Sequence, residues 1–280
     1  MTQTILLCSD LDRTLIPNGA AAESPRARER FARLAAHPGM RLAYVSGRDR
    51  RLVKSAVDRY ALPVPAAAIC DVGAALYQVH GTQWSLDTDW EREIGEDWKG
   101  YDHDAITGLL AGIEPEKFYL QPPEKQSRFK ISYFADISVN TDRLEKRIQE
   151  ILDGKNIPAN IICSVDDAEN LNLIDILPPR ANKLLAIRFL IRKQGMDENR
   201  VVFAGDSGND LDVLTSGMQA ILVGNAADDV RQTAVDRLSA KGQAARLYLS
   251  KGGFQGMNGN YAAGVLEGVA HFFPEAASWL

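Results

Sequence analysis

Cysteine is scarce in this sequence and shows no pairing pattern. The 280 residues include three cysteines, Cys8, Cys70 and Cys163, and none forms the C-x-x-C spacing of a zinc or redox site. Neither a disulfide-stapled domain nor a structural zinc module is therefore indicated. Cys8 and Cys70 lie in apolar runs, which predicts that both are small buried side chains.

Long apolar runs and basic tracts are also lacking. No apolar stretch approaches the ~20 residues that span a bilayer, and the N-terminus lacks the pattern of a signal peptide. We therefore expect a cytoplasmic protein with no membrane partner. The 32 Lys and Arg are outnumbered by 37 Asp and Glu, for a net charge of −5. Nucleic acid is not an expected partner, because no basic stripe stands out.

The residues that are present are typical of a globular protein with a sizeable core, since 45% are hydrophobic and 25% are charged. Apolar runs alternate with helical patterns at both ends of the chain, which predicts an α/β fold with a parallel sheet. Ser24 is expected to cap the first helix, with Pro25 at its first position. Strands are predicted over 5–8, 41–45, 66–70, 201–204 and 220–223, and helices over 24–36, 49–60, 181–194 and 261–273.

The middle of the chain differs in character. Three predicted strands, at 129–134, 160–165 and 172–177, and a helix over 142–152 indicate an α+β insertion with its own sheet. We therefore expect a core made of residues 1–81 and 179–280, interrupted by a second domain at 82–178. Three tryptophans of this region could present aromatic faces to a ligand, but packing inside the second domain is favoured; they are Trp84, Trp90 and Trp98.

Two pairs of acidic residues follow predicted strands. Asp10 and Asp12 come after the first strand, and Asp206 and Asp210 come after the strand at 201–204. Because ligands bind at the carboxyl ends of parallel strands, these side chains are expected to converge. Carboxylates suit Mg²⁺, and a carboxylate nucleophile beside a metal ion suits phosphoryl transfer. The pattern predicts Asp10 as the nucleophile and Asp12 as the general acid and base.

Each motif taken alone also has a structural explanation. Asp12 is equally consistent with a turn, and residues 205–210 have an ordinary turn composition. Ser46 and Gly47 offer a hydroxyl and an N–H to a phosphate at a predicted helix N-terminus, but for this motif alone a plain helix cap is the favoured interpretation. Lys183, near another helix N-terminus, opposes the helix dipole, which suggests a role such as holding phosphate charge, although exposed lysines are frequent at such positions.

Together and in this order, the motifs resemble the signature of the haloacid dehalogenase (HAD) superfamily of phosphohydrolases. The four motifs are Asp10-Leu11-Asp12-Arg13-Thr14, Ser46-Gly47-Arg48, Lys183, and Gly205-Asp206-Ser207-Gly208-Asn209-Asp210. The insertion between the second and third motifs is where this superfamily carries its type IIB cap. Within that branch the chain is most similar to the sucrose-phosphate phosphatases, in segments 71–73, 129–133, 175–178 and 262–268.

The resemblance implies a Rossmannoid α/β core with a parallel sheet and an inserted α+β cap that closes over a sugar. It gives the catalytic roles to Asp10 and Asp12. The ligands that it implies for Mg²⁺ are Asp10, the Asp12 backbone carbonyl, Asp206 and Asp210. The phosphate-binding residues that it implies are Thr14, Ser46, Gly47, Lys183 and Asn209. Expected substrate contacts at the cap and hinge are Arg48, Lys130, Asn172 and Arg180.

One position departs from the superfamily pattern. Where HAD phosphatases most often have Gly, this chain has Arg13. We expect the Arg13 side chain to point away from the catalytic pair and to alter only the edge of the pocket.

These inferences predict hydrolysis of a phosphorylated sugar through an aspartyl-phosphate intermediate, with sucrose 6-phosphate as the expected substrate. Alternatives are the same chemistry on another disaccharide phosphate, such as mannosylfructose phosphate, or on a glycosyl-glycerate phosphate. A phosphomutase is a further alternative, as is a non-catalytic module docked on a sugar-phosphate synthase. The presence of both Asp10 and Asp12 argues against a non-catalytic module. A sugar-phosphate synthase is a candidate partner.

Overall fold

The computed structural model describes residues 4–113, 117–166 and 169–280. The chain forms two units: a core unit, Met1–Leu86 with Lys183–Leu280, and an inserted unit, Asp87–Asn182. We propose these limits as the domain boundaries. They fall slightly later than the limits of 82 and 178 expected from the sequence. The inserted unit extends beyond residue 178 because the Arg180 N–H donates to Asp97, 2.8 Å away within that unit.

An eight-stranded sheet forms the centre of the core unit. Its strands are β1 (Ile5–Ser9), β2 (Met40–Val45), β3 (Ala67–Cys70), β4 (Ala75–His80), β5 (Gln83–Leu86), β10 (Val201–Gly205), β11 (Gln219–Leu222) and β12 (Leu247–Leu249). Their order is β12-β11-β10-β1-β2-β3-β4-β5. The strands from β12 to β3 are parallel, and β4 and β5 extend the sheet in antiparallel fashion. The first part of the core unit extends beyond residue 81 because β5 belongs to this sheet.

The central strands are largely apolar because both faces of the sheet are covered. Every residue of β1 and β10 is buried, as expected for a parallel sheet between helices. The helices of the core unit are α1 (Ala27–Ala36), α2 (Arg50–Arg59), α6 (Lys183–Gln194), α7 (Leu211–Leu214), α8 (Asp228–Ala240) and α9 (Tyr261–Phe272). Phe31 of α1 and Val265 of α9 share one hydrophobic cluster with Leu7 of β1.

The register of the sheet sets the position of the motifs. Ser9 of β1 is level with Tyr44 of β2 on one side and with Ala204 of β10 on the other. Asp10, Ser46 and Asp206 follow these three strands within two residues. They therefore emerge at the same edge of the sheet, where the carboxyl ends of the strands form a ligand crevice.

The inserted unit has its own antiparallel sheet, in the order β6-β7-β9-β8, where β6 is Phe118–Leu120, β7 is Ile131–Asp136, β8 is Asn160–Asp166 and β9 is Leu171–Leu177. Its helices are α3 (Thr88–Gly95), α4 (His103–Leu110) and α5 (Thr141–Asp153). Trp90 and Trp98 are fully buried here, as expected. Trp84 instead lies on β5 of the core sheet, so its expected place in the second domain is wrong. The predicted fold class, an α/β core with an inserted α+β domain, is confirmed.

The expected start of the first helix is wrong. The helix α1 begins at Ala27, and no side chain in the described part of the chain caps it. The Ser24 hydroxyl instead donates to Asn258 Oδ1 at 2.8 Å and accepts the Asn258 N–H at 2.8 Å. Ser24 therefore ties the loop before α1 to the loop before α9. Within the described part of the chain, no helix has the length and apolar character needed to cross a membrane.

Candidate active site

Three carboxylates converge at the carboxyl edge of the core sheet. Asp10 follows β1, and Asp206 and Asp210 follow β10; the three are 5%, 2% and 0% exposed. One oxygen from each lies within 4.8 Å of the others. Asp210 is oriented by the backbone, because its Oδ2 accepts the N–H groups of Asp206 and Ser207 at 3.1 and 3.2 Å. The carboxylates of Asp10, Asp206 and Asp210 are therefore brought together, whereas Asp12, which was expected beside them, is not part of this cluster.

Lys183 joins three of the motifs. It is the first residue of α6, and its Nζ lies 3.0 Å from Asp10 Oδ1, 2.7 Å from Asp210 Oδ1 and 3.0 Å from Asn209 Oδ1. Burial opposes the positive charge on Lys183, but the two carboxylates outweigh burial and hold its pKa above the ordinary value. Lys183 is therefore a charged centre of the site.

The negative charge of the three buried carboxylates favours binding of a cation in addition to Lys183. Burial raises the pKa of Asp10 to about 7, although Lys183 opposes the change. Burial and the nearby Asp210 raise the pKa of Asp206 to about 6. Asp206 Oδ2 is buried without a hydrogen-bond partner among the described residues, the Nε of Arg13 being 3.5 Å away. An orphaned oxygen within a set of hard carboxylate ligands fits a divalent metal ion.

Asp12 is held apart from the buried cluster by its own partners. Arg48 donates to it twice, from Nε to Oδ2 at 2.6 Å and from Nη2 to Oδ1 at 2.6 Å. Asn18 Nδ2 donates to Oδ1 at 2.7 Å. Burial raises the pKa of Asp12, but these hydrogen bonds outweigh it, and the pKa lies below the ordinary value. Arg48, expected to contact substrate, here contacts Asp12, and Asn18 was not anticipated from the sequence.

The expected phosphate ligands have defined positions in the site. The Thr14 hydroxyl donates to Asp206 Oδ1 at 3.0 Å. Ser46 is buried, and its Oγ accepts the N–H of Arg48 at 3.2 Å. The N-cap of α2 is Asp49, whose side chain accepts the N–H of Leu52, so a plain cap does not explain Ser46. Gly47 is exposed beside it, and Asn209 binds Lys183. That these groups bind phosphate stays a prediction.

The residues expected to contact a sugar hold other groups of the inserted unit. Lys130 is 6% exposed and its Nζ lies 3.7 Å from Asp175. Asn172 is 4% exposed and donates its amide to the Asp136 carbonyl at 3.0 Å. Arg180 Nε lies 3.1 Å from Asp97. This geometry favours packing roles within the unit, and the contacts with a sugar stay predictions.

Comparison with known proteins identifies the family of this chain and agrees with the geometry of the site. Residues 3–273 match the family model of the sucrose-6F-phosphate phosphohydrolases. The chain belongs to this family. It is therefore a HAD-superfamily phosphatase, a hydrolase of phosphoric monoesters, and the predicted resemblance is confirmed.

Individual relatives of this phosphatase differ in how much of their length it spans. It is 53% identical over 280 residues, the whole chain and 75% of the relative, to a Nitrosococcus oceani protein named as a HAD-like hydrolase. It is 28% identical over 221 residues to a glucosylglycerol-phosphate synthase of Pseudomonas anguilliseptica, covering 79% of this chain and 26% of the synthase. The structure of the Synechocystis sp. PCC6803 sucrose-phosphatase with sucrose and phosphate aligns with a TM-score of 0.69 and 24% identity, over 96% and 98% of the two chains. This last similarity shows a shared fold.

Arg13 lies beside Asp206, with its Nε 3.5 Å from Asp206 Oδ2. That its side chain points away from the catalytic pair, Asp10 and Asp12, stays a prediction. Its φ of 56° lies in the left-handed region, which explains why glycine is usual at this position in HAD phosphatases. The backbone is held there because its N–H donates to Asn18 at 2.8 Å and its carbonyl accepts from Asn225 at 2.6 Å. Neither asparagine lies in a motif that the sequence singled out.

Proposed function

We propose that this chain is a Mg²⁺-dependent phosphatase of a phosphorylated sugar, with sucrose 6-phosphate as its substrate. The observation that carries the chemistry is the buried cluster of Asp10, Asp206 and Asp210 around Lys183. Its place at the carboxyl ends of adjacent parallel strands suits a ligand site. Membership of the sucrose-6F-phosphate phosphohydrolase family supports the choice of substrate.

In the proposed reaction Asp10 acts as the nucleophile and Asp12 moves the protons. A carboxylate oxygen of Asp10 bonds to phosphorus while the bond from phosphorus to the sugar oxygen breaks. Asp12, which has to carry a proton when this step begins, gives that proton to the sugar oxygen. Water then attacks phosphorus and loses a proton to Asp12, which releases inorganic phosphate and restores the Asp10 carboxylate. Lys183 offsets negative charge on the phosphoryl oxygens.

The donor set indicates how Mg²⁺ would be held. Asp10 and Asp206 would bind it directly with the Asp12 backbone carbonyl, because Asp206 Oδ2 has no other hydrogen-bond partner among the described residues. Both oxygens of Asp210 already bind Lys183 and backbone N–H groups, so Asp210 would orient the others. When bound, the ion would supply neutralisation of the charge that the nucleophile and phosphate bring together.

A second substrate is favoured by one observation. The relative named as a glucosylglycerol-phosphate synthase shares a stretch that covers most of this chain. A glycosyl-glycerol or glycosyl-glycerate phosphate is therefore the leading alternative to sucrose 6-phosphate. The same match supports a sugar-phosphate synthase as a partner, since a segment similar to this chain occurs within one.

Phosphate release from a panel of esters tests the proposal. The panel contains sucrose 6-phosphate, mannosylfructose phosphate, glucosylglycerol phosphate and a glycosyl-glycerate phosphate, each with Mg²⁺ and with EDTA. We expect Mg²⁺-dependent turnover of sucrose 6-phosphate. Preferred turnover of another ester would keep the chemistry and replace the substrate. Isomerisation without free phosphate would indicate a mutase, and no reaction on any ester would overturn the proposal.

A further inference from the structure

We propose that Arg48 is a positioning residue, which holds the Asp12 carboxylate in place for proton transfer and does not bind the substrate. The inference rests on the proposed function, because it needs Asp12 as the acid and base. It replaces the substrate contact expected of Arg48 from the sequence. The observation behind it is the paired contact between the Arg48 guanidinium and both oxygens of Asp12.

The contact has the geometry of a fork on a carboxylate. Nε and Nη2 of Arg48 each lie 2.6 Å from a different oxygen of Asp12, the planar arrangement that arginine makes and lysine cannot. Asn18 adds a third donor at 2.7 Å. The Asp12 side chain is 37% exposed, so packing alone would not select one orientation. These three hydrogen bonds select it.

The backbone around Arg48 is itself fixed. Its N–H donates to Ser46 Oγ at 3.2 Å, and its carbonyl accepts the N–H of Asp71 at 2.9 Å. Asp49 then caps the first turn of α2. Arg48 therefore reaches Asp12 from an anchored turn at the end of β2, which is the strand beside β1. Because its backbone is fixed, the Arg48 side chain can hold the Asp12 carboxylate in one orientation.

Orientation matters here because proton transfer requires heavy atoms about 2.6–3.2 Å apart. A displacement of about 1 Å in a reacting group can cost on the order of 100-fold in rate. If Arg48 acts only through Asp12, its loss should lower kcat and leave KM nearly unchanged. It should also have no effect in a protein that already lacks the Asp12 carboxylate.

The test is a double-mutant cycle. The variants are Arg48→Lys, Asp12→Asn and the double variant, with Arg51→Lys, an exposed residue of α2, as the matched control. Turnover is measured with Mg²⁺ on the best sugar phosphate of the panel and on p-nitrophenyl phosphate, whose leaving group needs little protonation. Thermal unfolding of each variant reports folding.

We expect R48K to lose about 10- to 100-fold in kcat with KM within about threefold, although its charge is kept. The double variant should match D12N within about twofold, and R51K should match the wild type. The ratio of the losses on the two esters should be the same for R48K as for D12N.

Three outcomes would overturn the proposal. A raised KM with normal kcat in R48K would indicate a substrate contact. Losses that multiply in the double variant would indicate a role independent of Asp12. Wild-type turnover in D12N would remove the acid–base role from the proposed function itself, and the positioning role with it, whereas the first two outcomes leave the proposed function standing.

Discussion

Loss of the Lys183 side chain should strongly lower the stability of the metal-free protein. Its ammonium group contacts the buried carboxylates of Asp10 and Asp210, and removing one partner of a buried ion pair costs about 3–5 kcal/mol. We expect Lys183→Met to lower the free energy of unfolding in EDTA by that amount. Urea unfolding with the exposed Lys251→Met variant as control checks this. Equal stability of K183M and the wild type would contradict the described contacts.

Arg13 should weaken metal binding, because its cation lies beside Asp206. The Arg13 side chain is 50% exposed, so the effect should be that of an exposed ion pair, about 0.4–1 kcal/mol. Arg13→Gly should therefore bind Mg²⁺ about two- to fivefold more tightly in calorimetric titration, while Arg13→Lys, which keeps the charge, should not. Tighter binding by both variants would contradict an effect of the charge, because Arg13→Lys keeps it.

The site residues differed in how far the sequence could place them. Asp10, Ser46 and Asp206 could be brought together because each directly follows an apolar strand, and parallel strands end at one edge. The pairing of Arg48 with Asp12, 36 residues apart, depends on side-chain direction, which no spacing rule supplies. Asn18 lies in a loop without periodicity, so its contact with Asp12 had no sequence signal.

At the scale of elements, α9 packs unusually close to the loop before it. A Cβ added to Gly264 would overlap the carbonyl oxygen of Gly259. Because that oxygen belongs to the backbone, it cannot shift to make room as the end of a flexible side chain could. Gly264→Ala should therefore destabilise the protein by about 1–3 kcal/mol, although alanine favours a helix. Gly108→Ala on α4, where a Cβ meets no atom of the described residues within 4 Å, should instead stabilise by up to about 1 kcal/mol. Stabilisation by both would contradict the packing of α9.

Elements with a strong hydrophobic pattern were predicted, and those without one were missed. The strands β1, β2, β3 and β10 are apolar except for Ser9 and Arg41 and were placed within about two residues. Strand β5 is largely exposed, and α8 buries only three side chains, so neither carries a clear pattern. Ser24 was expected to cap α1 but bonds instead to Asn258, a tertiary contact that local reasoning does not include.

For the whole molecule, the acidic cluster predicts opposite effects of pH with and without metal. The pKa values of Asp10 and Asp206 are raised from 3.8 to about 7 and about 6, so the metal-free folded state keeps protons that the unfolded state releases. Its stability should therefore fall as pH rises from about 4 to about 7. Metal binding displaces these protons, so Mg²⁺ affinity should rise over the same range.

Thermal unfolding in EDTA and in Mg²⁺ checks this at pH 5.5 and pH 8. We expect the increase in Tm on adding Mg²⁺ to be larger at pH 8. Asp206→Asn, which removes one of the titrating carboxylates, should flatten the pH dependence in EDTA. The same Tm gain at both pH values would contradict the description of the cluster.

The most direct test of the account is phosphate release from sucrose 6-phosphate by the wild type and by Asp10→Asn, each with Mg²⁺ and with EDTA. Asn keeps the shape of Asp10 but removes the nucleophilic carboxylate, so D10N should remain folded in thermal unfolding. We expect rapid release by the wild type with Mg²⁺, its loss in EDTA, and a loss of at least about 10³-fold in D10N. Near-normal release by folded D10N would contradict the assignment of Asp10 as the nucleophile, and wild-type release that persists in EDTA would contradict the metal requirement.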